Sequence, residues 1–592
     1  MRLQNGAHGR PRPGGAMQRL IPSATTLLIA GLCAMGPTCA TAADNTVIKR
    51  FYRGQDANSV GIVEASEDTE VTGPQAIYSG RNNDIFLLDQ VNGRILRFDP
   101  NGKDDHTRSY ELPHDLSPTD LIVTRSHIMV WDGDVHALQP RGPDDAQTRG
   151  LDEISTRDID DKFTVSAFAQ MGSQKPDSST DLFDDNTRAV SMPKTPMRTQ
   201  QAVDSRGEGA VIVDVVAGER PTLVKMSVHR EIDNALLANI KIEVRDRLGA
   251  AEFLEIDNRD RMYVLVENIP ASGRKKAGTF VAAFSPAGNL EKIYDIPLSE
   301  SVALTRRFVT VSANGDVYFL RMRNDEVDVL GVGARNVRSG TVIDSLPGAT
   351  SAGIPGNDKN DVIAAVRPLT RQQVVQTAFA FEGVQWRVTP SAYGPDPDMA
   401  CHGSQRIRRP GYLIGKLGHE VRGVPYCWGC HGLLNQIGAR LEQGELAGNV
   451  CTKDEPRPGV VGVDCSAFVS AAWGLSEHFT TDAIPSITDR ISDPWDLKPG
   501  DALNKPGSHV VLFLRFTPGR KAEVMEAAPV ACNGRVCRNV YPLSSLLERG
   551  FTPVRFRSLA NDTTSQVADV DGRPVEPEEP AAKPKRKHHR RR

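Results

Sequence analysis

The sequence predicts a multidomain chain. An all-β module, built as a β-propeller of about six or seven blades, is followed by a smaller α+β domain. Three observations carry this. Short β-rich runs recur at roughly 40- to 55-residue spacing between residues 45 and 390. Every cysteine beyond Cys39 lies in the last third of the chain. A glycine-led turn, Gly462-Val463-Asp464, delivers Cys465 to an apolar run, Ala467 to Trp473, that reads as a buried helix. At 592 residues the chain exceeds what one core supports.

Composition is that of globular protein, with 39% hydrophobic and 24% charged residues. The net charge of -3 predicts no general affinity for nucleic acid or membranes. Residues 1–42 read as a signal peptide. Met17-Gln18-Arg19 offers a start and a positive charge, Leu20 to Met35 is apolar, and Ala40-Thr41-Ala42 fits a cleavage site. Residues 1–16 can precede a true start at Met17. A membrane anchor is the competing reading, but the apolar run is short and broken by Gly36-Pro37. Residues Ala30-Gly31-Leu32 do not suit a lipoprotein signal at Cys33. Export to the periplasm or beyond is expected.

The β-rich runs within 45–390 include Asp84–Leu88, His127–Trp131, Ala210–Val213, Arg261–Val266 and Asp316–Leu320. Several follow turn-rich approaches: Gly80-Arg81-Asn82-Asn83, Asp257-Asn258-Arg259-Asp260 and Ser312-Ala313-Asn314-Gly315. A hairpin signal at Asn92-Gly93 leads into Arg94–Asp99. A pair of β-sandwiches is the alternative. Residues 141–200, rich in Asp, Ser, Thr and Pro, read as a long insertion with one strand at Phe163–Phe168. His106, His114, His127, His136 and His229 are too scattered to suggest a metal site. A binding or positioning module for a protein or polysaccharide is expected.

A Pro-rich stretch makes 391–399 a linker, and 400–558 the second domain, with a helix over Gln405–Val421 interrupted at Arg409-Pro410. The tail, 559–592, ends in Lys583-Pro584-Lys585-Arg586-Lys587 and three terminal arginines. It reads as unfolded, able to touch anionic polymer or simply to be solvated.

Seven cysteines remain after the signal: Cys401, Cys427, Cys430, Cys451, Cys465, Cys532 and Cys537. An odd number in an exported chain leaves one thiol over. Cys532 to Cys537 reads as a hairpin closed by a local bridge. Cys401, Cys427, Cys430 and Cys451 then make two bridges in one of three connectivities. Zinc is the competing reading of those four, disfavoured by the lack of a second close-spaced pair. Cys465 is the natural odd one out. A thiol at a helix N-terminus lies beside unsatisfied N–H groups and the positive end of the macrodipole, which favour the thiolate. The competing reading is a small buried hydrophobe or half of a disulfide. His509 begins an apolar strand, Val510 to Phe516, and is the best candidate base for that cysteine.

Four segments follow in order: Gly423-Val424-Pro425-Tyr426-Cys427-Trp428-Gly429-Cys430; Gly462-Val463-Asp464-Cys465-Ser466; Leu497-Lys498-Pro499-Gly500-Asp501; and Ser508-His509-Val510-Val511-Leu512-Phe513, with Val524-Met525-Glu526-Ala527 after it. This arrangement resembles the NlpC/P60 family of papain-like cysteine peptidases, over roughly residues 400–558. The resemblance implies a papain-like α+β fold and a Cys465 nucleophile with His509 as base. Glu526 stands where the family has a third polar residue on the next strand. Glu526 faces His509 if the intervening loop, around Thr517-Pro518-Gly519-Arg520, has even parity; Glu523 is the fallback. The resemblance also implies that Tyr426 assists the oxyanion or substrate, and that Asp464 and Ser466 help bind the free amine of a short peptide. The backbone N–H of Cys465 is the expected oxyanion donor. No cofactor or metal is implied.

The chain departs from the family pattern at Cys430, Ala467 and Glu526, and in the long Trp428–Cys465 stretch. A Cys430–Cys451 bridge is one way to pin that stretch against the site. The implied activity is hydrolysis of an amide bond in peptidoglycan peptides, between D-glutamate and the diamino acid. Two alternatives stand: amidase or acyl-transfer chemistry on another substrate, including as a secreted toxin, or a propeller-based scaffold with a silent peptidase domain.

Overall fold

The computed structural model describes residues 44–559, except 65–70, 103–105, 115, 125–126, 133, 143–145, 157–196, 204–209, 219, 271–276, 338–341, 345–368, 395–407, 452–458 and 518–519. The expected signal peptide, the strand at Phe163–Phe168 and the basic tail lie outside these residues. No helix among the described residues is long and apolar enough to cross a membrane.

Residues 46–336 form antiparallel blades. The first is Ala76–Ser79, Ile85–Asp89, Arg94–Phe98 and Arg108–Glu111; the second is Asp120–Val123, Ile128–Trp131, Val135–Pro140 and Thr148–Ile154. Their outermost strands pair in parallel, Ser109 opposite Thr148, and merge the two into one eight-stranded sheet. A third blade runs from Met197 to Glu243 and a fourth from Arg247 to Ile296, with Ala334–Asn336 added at its edge. The last blade, Val309–Val311, Val317–Met322 and Glu326–Gly331, takes its next strand, Thr46–Arg53, from the start of the chain. The innermost strands of the first and last blades touch where Ala76 bridges Arg307. The amide of Ser79 donates to Thr310 Oγ1 at 2.9 Å across the same seam. This closure ties the two ends of the β module together.

The turn-rich approaches fold alike. Asn83, Asp260 and Gly315 each take a left-handed φ, of 64°, 56° and 87°. In each turn that residue's amide donates to the carbonyl three residues back (Gly80, Asp257, Ser312), and the first residue's amide donates to the carbonyl just after it. Asn, Asp and Gly tolerate this conformation where branched residues do not.

The described residues hold five blades, not the six or seven expected. The long gap between Trp131 and Ala210 reads as a skipped unit in sequence, and residues 369–390, expected in the β module, belong to the next domain. Residues 141–200 read as an insertion in sequence, but Thr148–Ile154 is the outer strand of a blade and Met197–Val203 is the first strand of the next. Thr148–Ile154 buries only Leu151, so it lacks the apolar alternation that announces a strand.

The second domain begins earlier than expected. Helix α1 (Arg371–Gly383) opens with a capping box, the Gln373 amide donating to Thr370 Oγ1 and the Thr370 amide to Gln373 Oε1. It buries Val374, Val375, Ala378 and Phe381 in the same core as Cys465. A short helix, Pro390–Tyr393, runs into the expected linker 391–399, and the described part of Gln405–Val421 holds a single 3-10 turn instead of a helix. Pro410 and the positive-φ glycines Gly415 and Gly418 account for that.

Further helices are α2 (Leu434–Glu442), α3 (Cys465–Ala472) and α4 (Leu543–Glu548). The sheet is β1 (Thr488–Arg490), β2 (Ala502–Lys505), β3 (His509–Phe516), β4 (Ala522–Ala528), β5 (Arg535–Tyr541) and β6 (Thr552–Phe556), in the order β1-β6-β2-β3-β4-β5, every neighbour antiparallel. Val510, Leu512, Leu514, Met525 and Ala527 pack with α3. Val511, Phe513, Ala522 and Val524 pack on the other face with α4 and with Ile269 and Leu304 of the β module. The two domains therefore share a core. Buried Glu267 accepts from the Ser544 amide at 3.0 Å, and Arg247 pairs with Asp493 at 2.8 Å across the junction.

Candidate functional site

Helix α3 starts at Cys465, with Asp464 as its N-cap, and all eight of its residues are buried. Asp464 is fully engaged. Its Oδ1 accepts from the Ala467 amide at 2.7 Å and Ser466 Oγ at 3.1 Å; its Oδ2 accepts from the Gly429 amide at 2.9 Å. The carboxylate thus satisfies a helix-end donor and pins the Tyr426–Gly429 segment to α3. Ser466 is fully buried and also meets His478 Nε2 at 2.7 Å. His478 lies 3.4 Å from Asp464 and stacks on His431, ring centroids 5.8 Å apart. Asp464 and Ser466, expected to bind a peptide amine, are buried and have these internal partners. Tyr426 is buried, and its backbone bridges Val463, two residues before Cys465.

His509 opens β3. Its Nε2 lies 2.6 Å from Glu526 Oε2, and both side chains are buried. The other carboxylate oxygen, Oε1, accepts from Asn539 Nδ2 at 2.8 Å and from the Tyr541 hydroxyl at 2.7 Å, both on β5. Burial pushes the Glu526 carboxyl up, but the hydrogen bond and charge of His509, then Tyr541 and Asn539, bring it net below its ordinary value.

The pairing explains why Glu526 is the partner. The connection between β3 and β4 is five residues, 517–521, not even as expected, with Phe516 opposite Ala522 and Arg515 opposite Glu523. That register alone would put Glu523 on the face of His509. A bulge between Phe513 and Arg515 shifts it by one, so that Leu512 faces Met525 and Glu526 comes round to His509. Glu523 pairs with Arg515 at 2.6 Å instead.

The strand pairing also relates the histidine to the cysteine. Extending the register past the bulge sets His509 opposite Ala528; Ala528 pairs with Arg535; Arg535 bridges Pro425, and Tyr426 bridges Val463. The chain entering α3 thus meets the end of the sheet at which β3 begins, and α3 packs over β3 and β4.

Asp501, from the Leu-x-Pro-Gly-Asp segment, is wholly buried and structural. It accepts from Arg371 Nη1 at 2.9 Å, from Arg555 Nε at 3.0 Å and from the Lys498 amide at 2.8 Å, tying α1, β6 and the Gly500 turn together.

Cys532 and Cys537 form the expected hairpin disulfide, Cα–Cα 5.4 Å. Cys427 pairs with Cys430, Cα–Cα 5.3 Å, across a turn in which the Cys430 amide donates to the Cys427 carbonyl. The suggested Cys430–Cys451 bridge is therefore not formed. Cys451 is disulfide-bonded outside both pairs, and Cys401 lies outside the described residues. Cys465 is the described cysteine left in no disulfide. Among the described residues no cluster of His, Cys, Asp or Glu suits a metal ion. Sequence reasoning missed Asn539, Tyr541, His431 and His478. The first two were available from the i, i+2 alternation Cys537-Asn539-Tyr541 on the strand after Glu526.

No family model matches the chain, and no curated protein matches it. Among solved structures, the chain is similar to a luciferin-regenerating enzyme at 10% identity, covering 48% of this chain and 100% of that one, with a TM-score of 0.24. It is similar to virginiamycin B lyase from Staphylococcus aureus at 10% identity, covering 49% and 99%, with a TM-score of 0.23. For the Dos1 propeller the values are 7% identity, 49% and 95%, and 0.21. Likenesses at this level carry no weight on fold or chemistry.

Proposed function

We propose that the chain is an exported cysteine hydrolase of the NlpC/P60 papain-like type, acting on amide bonds of peptidoglycan peptides, with the β module as a binding or positioning platform. The observation that carries this is the buried His509–Glu526 pair on two strands over which the Cys465 helix is packed. In the proposed mechanism the Cys465 thiolate attacks the scissile carbonyl carbon, and the C–N bond breaks as His509 protonates the leaving amine. Water, deprotonated by His509, then releases the acid from the thioester. Glu526 holds the ring through Nε2, leaving Nδ1 as the nitrogen that exchanges the proton. The disulfides support export, since such bonds persist in oxidising compartments.

One observation favours the silent-domain reading: Cys465 is 0% exposed, as a structural cysteine would be. The test is incubation of the purified protein, disulfides intact, with muropeptides, products followed by mass spectrometry and Cys465→Ala in parallel. Cleavage by wild type alone is expected. Cleavage by neither, with a Cys465 that resists alkylation, would favour the scaffold.

A further inference from the structure

A cavity of about 220 Å³ lies between the β module and the second domain. One wall carries Thr119, Trp131 and Arg306, the other the edge strand β5 and Arg422. Its charges do not balance internally. The lining acids already have cations: Glu382 meets Arg538 at 3.0 Å, Glu523 meets Arg515 at 2.6 Å, and Asp132 meets His136 at 2.8 Å. Two lining arginines, Arg422 and Arg535, have no carboxylate partner among the described residues, and a third, Arg306, shares one. Arg306 reaches Asp120 only at 3.6 Å, because Arg307 holds both oxygens of that carboxylate at 2.8 and 3.0 Å. Arg535 lies against Tyr412 and donates to the Arg422 carbonyl at 3.3 Å, and Arg422 has no ion-pair partner. Burial, with Arg307 close by, pulls the Arg306 guanidinium below its ordinary pKa despite Asp120. Arg306 and Arg535 are partly buried and Arg422 is exposed, so the missing counter-charge weighs most on the first two.

Two buried lining atoms also lack a hydrogen-bond partner, the donor Arg538 Nη1 and the acceptor Glu382 Oε2. They ask for a ligand that carries both an acceptor and an N–H. A carboxylate alone supplies only the first; an amide-linked carboxylate supplies both.

We propose that this interdomain cavity binds the C-terminal carboxylate of a short peptide, the carboxylate held by Arg306 and Arg422 and the preceding amide by Arg538 and Glu382. Asn539, which holds Glu526, also lines this cavity, but neither Cys465 nor His509 does.

The experiment uses the full chain and two probes, N-acetyl-dialanine and its C-terminal amide, in calorimetry and thermal unfolding at fixed ionic strength. The acid is expected to bind and stabilise at millimolar concentration, the amide at least about tenfold more weakly. Arg306→Gln and the exposed-site change Arg422→Gln should each weaken the acid by about tenfold or more. Arg422→Gln keeps the test open if Arg306→Gln fails to fold. Equal binding of acid and amide, no binding of either, or full displacement of the acid by equimolar inorganic phosphate would each overturn the assignment.

Discussion

Replacing Glu526 by glutamine keeps the shape of the side chain and removes its charge. In the native structure each oxygen has a defined load: His509 on Oε2, Asn539 and Tyr541 on Oε1. Glutamine can still accept from the β5 pair, but its amide nitrogen then faces His509 and the charge-assisted bond is gone. That loss is worth about 1.5–3 kcal/mol, and alanine, which strips the partner from a buried pair, about 3–5 kcal/mol. The pH dependence has a definite sign. The folded Glu526 carboxyl titrates below its ordinary value of 4.5, so its stabilisation is fully present above that value and is lost as pH falls through the folded pKa. Urea unfolding across the acid range should show a steeper acid limb in wild type than in Glu526→Gln. The same variant should slow Cys465 alkylation at neutral pH by about tenfold or more if the imidazole is the base. A glutamine variant as stable as wild type at every pH, with unchanged alkylation, would refute the coupling of Glu526 to His509.

Other expectations follow from the same geometry. Glu523→Gln should leave the pH profile of Cys465 alkylation unchanged, because Glu523 serves Arg515; a shifted profile would mean the partner of His509 is misassigned. Asp464→Ala should cost about 2–4 kcal/mol in urea unfolding, from a lost cap and an orphaned Gly429 amide, whereas a loss under about 0.5 kcal/mol would contradict the role given to it. Replacing Cys532 and Cys537 by serine opens a short loop and should cost roughly 2 kcal/mol, measured the same way.

What the sequence made legible was local. The turns at Asn83, Asp260 and Gly315 could be read from residue type, and so could the helix after Asp464. The blade count could not, because solvated outer strands such as Thr148–Ile154 carry no apolar alternation and the last blade borrows Thr46–Arg53 from the far end of the chain. The resemblance pointed to Glu526, but the choice over Glu523 depends on one bulge near Leu514, and nothing in Val510–Phe516 announces it. Asp464 was legible only in part. An aspartate before a helix is a cap by local chemistry, whereas its bond to the Gly429 amide joins segments far apart in sequence.

The most direct measurement is the rate of Cys465 alkylation by iodoacetamide as a function of pH, in wild type and His509→Ala, read at that residue by mass spectrometry. The account predicts a wild-type rate that stays high well below the ordinary thiol pKa of about 8.5 and falls only as His509 and Cys465 together take up a proton, with His509→Ala returning to the ordinary thiol curve. Superimposable curves for the two proteins, following an ordinary or unreactive thiol, would contradict it.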